Sequence, residues 1–261
     1  MNAKSMVLLG AALALIPVIA YSAYRLWDIQ KNYAMEAEMR AQLLPYRPVL
    51  PRDNPAQAAQ PLSPGETPLP APRANQSVVD LQALYPDAVG WLGIPGTAID
   101  YPFAQSGDND HYLHHDLDGK QSAAGSLFID YRNPGDFSGF NTIIFGHNMK
   151  NGAMFGTLQK FNDEAFFNAN KTGVIFLAGA TFEVEIFAYA VVRPNDPVIY
   201  SAAYANEAEK QVFLDYVSAA ARHYRNIGET ASDHFVTLST CSYEFNNGRM
   251  VLIGRLTALT Y

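Results

Sequence analysis

Between Ala98 and Leu259 the chain falls into seven short runs rich in β-branched and aromatic residues: AIDYPF, GSLFID, NTIIFGH, GVIFLA, TFEVEIFAYAVV, HFVTLSTC and RMVLIGRLTAL. Turn-forming Gly, Pro, Asn and Asp separate them, and a further strand is expected around Gly90 to Ile94, before a Pro-Gly turn. Strands this closely spaced suggest a sandwich or barrel rather than alternating βαβ units. Two helices interrupt the pattern. SVVDLQALYPD reads as a short amphipathic helix ending before Pro86. NEAEKQVFLDYVSAAARHYRN, Asn206 to Asn226, places Val212, Phe213, Tyr216, Val217 and Ala220 at helical spacing, with Asn206 as its N-cap.

The N-terminal part is built differently. Met6 to Tyr24 carries no charge and, at about 1.5 Å per residue, is roughly long enough to cross a ~30 Å hydrocarbon core. It is expected to be a transmembrane signal anchor behind a short cytoplasmic tail, residues 1–5. Small residues near Ala20 and Ala23 keep a cleaved signal peptide as the alternative. Residues 25–44 are strong helix formers without Gly or Pro and predict a helical stem. From Pro45 to Pro72 there are nine prolines, so residues 45–75 read as a semi-rigid, Pro-rich extracellular linker that cannot build a core. The globular domain then occupies residues 76–261. This organisation predicts a single-pass protein of the cell membrane, its catalytic domain extracellular and the N-terminal anchor its membrane contact.

Apolar residues make up 49% of the 261, enough for a core, while a net charge of −7 without a basic block argues against a nucleic-acid partner. Cys241 is the only cysteine, which excludes an intrachain disulfide and a cysteine zinc site. A spare cysteine often serves as a small apolar residue; the other reading is a nucleophile. A thiol attacks carbonyls as thiolate, so a nucleophile needs an imidazole or another cation nearby. Of His111, His114, His115, His147, His223 and His234, His147 ends an apolar strand after a glycine, the position most suited to a base. His234, beside Asp233, is the second choice, and His223 reads as a solvated residue of the helical insertion. HYLHHD places His111 and His115 four apart, but no complementary ligand spacing recurs, so no metal or other cofactor is expected. An Asn-Asn-Gly turn after the cysteine reads as a hairpin. Pairing of 237–241 with 249–256 brings Arg249 alongside Cys241 as an oxyanion donor, with Arg255 further along the same face and readable as an ordinary strand residue.

Together these segments resemble the sortase family. TLSTC with an arginine on the next strand, and FGHNM about ninety residues earlier, carry the resemblance. GWLGIPGTAIDYPFAQSGDNDHYLHHDLDG, GSLFIDYRNPGDF, GHNMKNGAMFGTLQKF and the helical insertion point to class B. The resemblance covers residues 76–261. It implies a mainly β fold, an eight-stranded sortase-type β-barrel with an N-terminal helix and a long helical insertion before the cysteine strand. It also implies a cysteine transpeptidase at the outer face of a Gram-positive membrane. Such an enzyme cleaves a C-terminal sorting motif after threonine through a thioacyl intermediate. It then transfers the protein to an amine of cell-wall precursor or a pilin. The implied partners are surface proteins or pilins bearing a sorting signal, and a cell-wall precursor or other amine acceptor. Cys241 is the implied nucleophile, His147 the general acid/base and Arg249 the oxyanion and substrate-positioning group. Ser239 and Thr240 are implied substrate hydrogen-bonders, and Asn109, Leu113 and Tyr200 line the implied sorting-signal groove. A tethered cysteine peptidase that only hydrolyses shares the acylation step, and a non-catalytic surface binding module is the reading from another class.

Overall fold

The computed structural model describes residues 3–50, 75–241 and 248–259, apart from the side chains of residues 3, 5–13 and 241. Most of the Pro-rich linker and the Asn246–Asn247 turn positions lie outside the described residues.

The expected barrel is present. Strands β1 (Ala88–Gly93), β2 (Asp100–Ala104), β3 (Leu127–Ile129), β4 (Asn141–Phe145), β5 (Thr172–Leu177), β6 (Thr181–Val192), β8 (His234–Cys241) and β9 (Arg249–Ala258) hydrogen-bond in the order β5-β1-β2-β3-β4-β8-β9-β6, and β6 pairs back onto β5. Eight strands therefore close on themselves, which leaves few sheet edges open. A two-residue strand, β7 (His223–Tyr224), flanks β6. Two neighbours in the ring run parallel, β2 with β3 and β4 with β8; the other pairs are antiparallel.

Alternation along the strands sorts the apolar residues to two sides. Phe103, Ile129, Ile144, Ile175, Val236 and Leu252 belong to one buried cluster. Phe187, Phe235, Val251 and Ile253 point the other way and are covered by Phe213, Leu214 and Val217 of the inserted helix (Glu207–Ala220). That helix starts where the sequence places it: Asn206 caps it by accepting a hydrogen bond from the Glu209 N–H. It ends at Ala220, so His223 is not on it. His223 sits in β7, its Nε2 hydrogen-bonded to the Asn162 carbonyl.

A single helix, α1, spans Ala3–Leu43. Its last turns lie on the barrel. Leu43 and Leu50 join Val78 and Leu81 of the next helix, α2 (Gln76–Leu84), over Trp91 and Phe176. Glu36 is buried and accepts from the Tyr101 hydroxyl at 2.9 Å, while the Arg40 guanidinium lies 4.9 Å from the Tyr101 ring centre. Burial first, then the Glu36 charge, pushes the Tyr101 phenol up from its ordinary range. The expectation of a single-pass membrane protein is corrected here. Among the described residues no helix is long and apolar enough to cross a membrane. The described part of α1 becomes charged from Arg25 onward, with Asp28, Lys31, Glu36, Glu38 and Arg40, and its last turns pack against the barrel.

Candidate active site

The site is assembled by strand register. In the parallel ladder β4·β8, Phe145 pairs with Ser239, and the Gly146 N–H donates to the Ser239 carbonyl at 3.2 Å. The ladder ends there: β4 stops at Phe145 and is followed by Gly146 and His147, while β8 continues through Thr240 to Cys241. In the antiparallel ladder β8·β9, Cys241 pairs directly with Arg249. The Cys241–Arg249 pair thus lies at the end of the barrel where β4 gives way to His147, about ninety residues earlier in the chain, and His147 and Arg249 line one cavity.

Local sequence explains how the strands come this close. A Cβ at Gly146 would lie 2.4 Å from Leu127 Cδ2 and 2.9 Å from Phe155 Cδ2, so only glycine lets β4 run past this part of the core. His147 is half-buried, and its Nε2 lies 2.7 Å from the Leu113 carbonyl. A carbonyl only accepts, so Nε2 carries a hydrogen and Nδ1 is the nitrogen left to exchange a proton. Leu113 belongs to a one-turn helix, α3 (His111–His114). Its carbonyl reaches His147 because the chain opposite is Gly125, at φ +57°, where a Cβ would lie 2.4 Å from the Tyr112 oxygen and 2.8 Å from the Leu113 oxygen. Asp108 holds the entry to α3 by accepting from the Asp110 and His111 amides. These two bonds, His111 first, keep its carboxyl below the usual range.

His147 and Arg249 open onto a cavity of about 450 Å³. Its wall holds each residue expected in substrate binding: Asn109, Leu113, Tyr200, Ser239 and Thr240. Tyr200 stands on the loop between β6 and the inserted helix. Its hydroxyl is 2.8 Å from Ser239 Oγ and its ring stacks on Phe145 with centroids 6.1 Å apart. The loop itself is tied down by Asp196, which accepts from the Val198 and Ile199 amides and from the Tyr216 hydroxyl. That last hydrogen bond, with burial next, pushes the Tyr216 phenol up to about 12. Thr240 is 3% exposed, and its hydroxyl has no hydrogen-bond partner among the described residues.

The other sequence candidates lie elsewhere. His234 opens β8, at the far end from Cys241, with Nδ1 bonded to the Gly139 carbonyl. Arg255 pairs with Phe235 in the ladder and makes a 2.5 Å ion pair with Glu185, at the same far end. His111 and His115 stack at 4.5 Å, and among the described residues no group of three potential ligands could hold a metal. Ser242, Tyr243 and Glu244 lie outside the described residues.

Two charged wall residues were not among the sequence candidates: Asp130 and Arg132. Asp130 has no exposed side-chain surface and meets the Arg132 guanidinium through two hydrogen bonds, 2.9 and 2.6 Å. Burial pushes the Asp130 carboxyl up, but hydrogen bonds from Arg132, its charge and a hydrogen bond from Asn109 outweigh burial and hold it below the usual carboxylate range. The signal was present in FIDYR, an acidic residue closing an apolar strand with an arginine two positions on.

Comparison with known proteins agrees with this geometry. A family model described as "Sortase domain" matches residues 92–257. Sortase B of Listeria monocytogenes is 41% identical over 179 residues, covering 68% of this chain and 72% of that protein. The structure of a mutant form of Clostridium perfringens sortase B superposes with a TM-score of 0.67 at 32% identity, over 70% of this chain and 87% of that one. A Staphylococcus aureus sortase B–substrate complex gives a TM-score of 0.67 at 25% identity, over 72% and 87%.

Proposed function

This chain belongs to class B of the sortase family and is a cysteine transpeptidase, and on that premise we propose that Cys241, His147 and Arg249 carry its chemistry. The substrate is a protein with a C-terminal sorting motif, cleaved after threonine. The acceptor is an amine of cell-wall precursor or of a pilin. The observation that supports this assignment is the pairing of Cys241 with Arg249 at the end of the barrel where β4 gives way to His147, beside a cavity lined by His147 and Arg249.

The Cys241 thiolate attacks the carbonyl carbon of the threonine, and the Arg249 guanidinium offsets the charge that develops on the carbonyl oxygen. As the C–N bond breaks, the protonated His147 gives the Nδ1 proton to the departing amine; the Nε2 hydrogen stays on the Leu113 carbonyl. A thioester remains on Cys241. The acceptor amine then attacks that thioester, Nδ1 takes its proton, the C–S bond breaks and the thiolate is restored. Asn109, Leu113 and Tyr200 form the groove for the sorting peptide, with Ser239 and Thr240 supplying hydrogen bonds from the cysteine strand.

A peptide library with added diglycine or diaminopimelate, read by mass spectrometry, tests the proposal. Amine adducts of the fragment ending in threonine are expected, and Cys241→Ala and His147→Ala should each abolish them. Full turnover in either variant, or free acid as the sole product at high amine concentration, would overturn it.

A further inference from the structure

The Asp130–Arg132 pair is placed where stability alone gives no reason for it. The Asp130 carboxylate is wholly buried while 43% of the Arg132 side chain is exposed, and burying a carboxylate loses solvation that its partner's attraction only just repays. Here the pair stands in the wall of the cleft, and its further side-chain hydrogen bonds run to Tyr200 and Asn109 of that wall. The Arg132 Nη2 donates to the Tyr200 carbonyl at 3.2 Å as well as to Asp130. The Arg132 amide also donates to Asp130, at 3.0 Å. Asn109 bonds the Asp130 carboxylate through its side chain, while its Oδ1 accepts from the Tyr131 amide at 3.0 Å. Three segments meet at one carboxylate and one guanidinium: the approach to α3, the end of β3 and the loop before the inserted helix.

Tyr200 is the residue most affected. Its carbonyl is held by Arg132, its ring by Phe145 and its hydroxyl by Ser239, two residues before Cys241. The phenol and the ring are held by contacts that an entering peptide would have to share. The carbonyl is held by a charge-assisted bond, and Arg132 also borders a second cavity of about 580 Å³ lined by the loop from Asn195 to Ala203. The fork of a guanidinium can bridge a carboxylate and a carbonyl at once, which a lysine ammonium does with neither the reach nor the fixed geometry.

We propose that Asp130 and Arg132 are positioning residues that set the width of the peptide groove by fixing Tyr200 and Asn109. They act on how well the donor peptide binds and leave the thiol, the imidazole and proton transfer untouched. The inference rests on the proposed reading of the cleft as the sorting-peptide groove.

Arg132→Lys is the informative variant, because it keeps a cation beside the buried carboxylate while giving up the simultaneous hold on Tyr200; Arg132→Met serves as the stronger variant. Steady-state kinetics with a sorting peptide should show KM raised about tenfold in Arg132→Lys with kcat within about threefold, the pattern of lost ground-state positioning. The iodoacetamide alkylation rate of Cys241 and its pH profile, which need no peptide, should match the parent protein. Hydrogen exchange across residues 198–201 should accelerate in both variants. An unchanged KM, or a fall in kcat and alkylation rate alongside KM, would overturn the proposal. If the parent protein turns over no sorting peptide, the reading of the groove fails instead. Exchange at 198–201 then decides the positioning role alone, unchanged protection in both variants counting against it.

Discussion

The Thr240 hydroxyl is buried at the cavity wall without a partner among the described residues, and Thr240→Val asks what it is there for. A buried hydroxyl left unbonded costs on the order of 1–3 kcal/mol, whereas an apolar group of the same shape carries no such penalty. Valine keeps the branched shape and the strand preference of threonine. The variant should therefore unfold no more easily than the parent and gain up to about 1 kcal/mol, a rise of roughly 2–4 °C in Tm for a chain of this size. Activity should move the opposite way. If the hydroxyl bonds the substrate, its loss removes about 0.5–1.5 kcal/mol, a roughly 2- to 13-fold fall in kcat/KM. Thermal unfolding followed by circular dichroism, with initial rates on a fluorogenic sorting peptide, measures both. Thr240→Ser, which keeps the hydroxyl and loses a methyl, should reverse the pattern: near-parental kcat/KM and about 1 kcal/mol less stability. A valine variant with parental kcat/KM, or one destabilised by more than about 1 kcal/mol, would refute the reasoning.

Four other outcomes are expected. Arg249→Ala should lower kcat on the sorting peptide by at least about tenfold, as loss of an oxyanion donor does; a parental rate would remove Arg249 from the mechanism. Tyr101→Phe strips Glu36 of its buried donor and should cost about 1–3 kcal/mol in denaturant unfolding, and no change would show that Glu36 finds water. Gly146→Ala forces a methyl against Leu127 and Phe155, so stability should drop by about 1–3 kcal/mol and peptide turnover with it. The Asp130 carboxyl is held below its unfolded value of about 3.9. Its contribution is therefore complete above that pH and is lost as pH falls through the lower folded value. Urea midpoints between pH 5 and 2 should fall more shallowly in Asp130→Asn than in the parent, and parallel curves would contradict the assignment.

The strands were legible because their residues alternate and branch, and because the turn residues between them are punctual. The Cys241–Arg249 pair followed from hairpin logic, since an antiparallel register needs only the distance from the turn. The β4·β8 pairing was not legible: a parallel ladder between segments about ninety residues apart leaves no local mark. His147 was singled out as a strand-tip residue, while the proximity that matters came from the fold. Asp130 and Arg132 escaped notice because charged residues after a strand ordinarily face water, and burial of the carboxylate depends on Asn109 arriving from another segment. Glu36 was hidden for the same reason. In a helix of polar residues it looks solvated, and only the Tyr101 hydroxyl, from β2, makes its burial tolerable.

The parallel pairing of β4 with β8 also governs when the thiol becomes dangerous. A contact between Phe145 and Ser239 closes a long loop of chain, and such contacts form late because the entropy of closure is spent before the strands stabilise each other. Until that ladder zips to its end, His147 has no reason to be near Cys241, and the thiol keeps the modest reactivity of a free cysteine. In the mechanism we propose, topology thus acts as a timer: a nascent or half-unfolded chain is chemically quiet, and Cys241 is armed by the same event that completes the barrel.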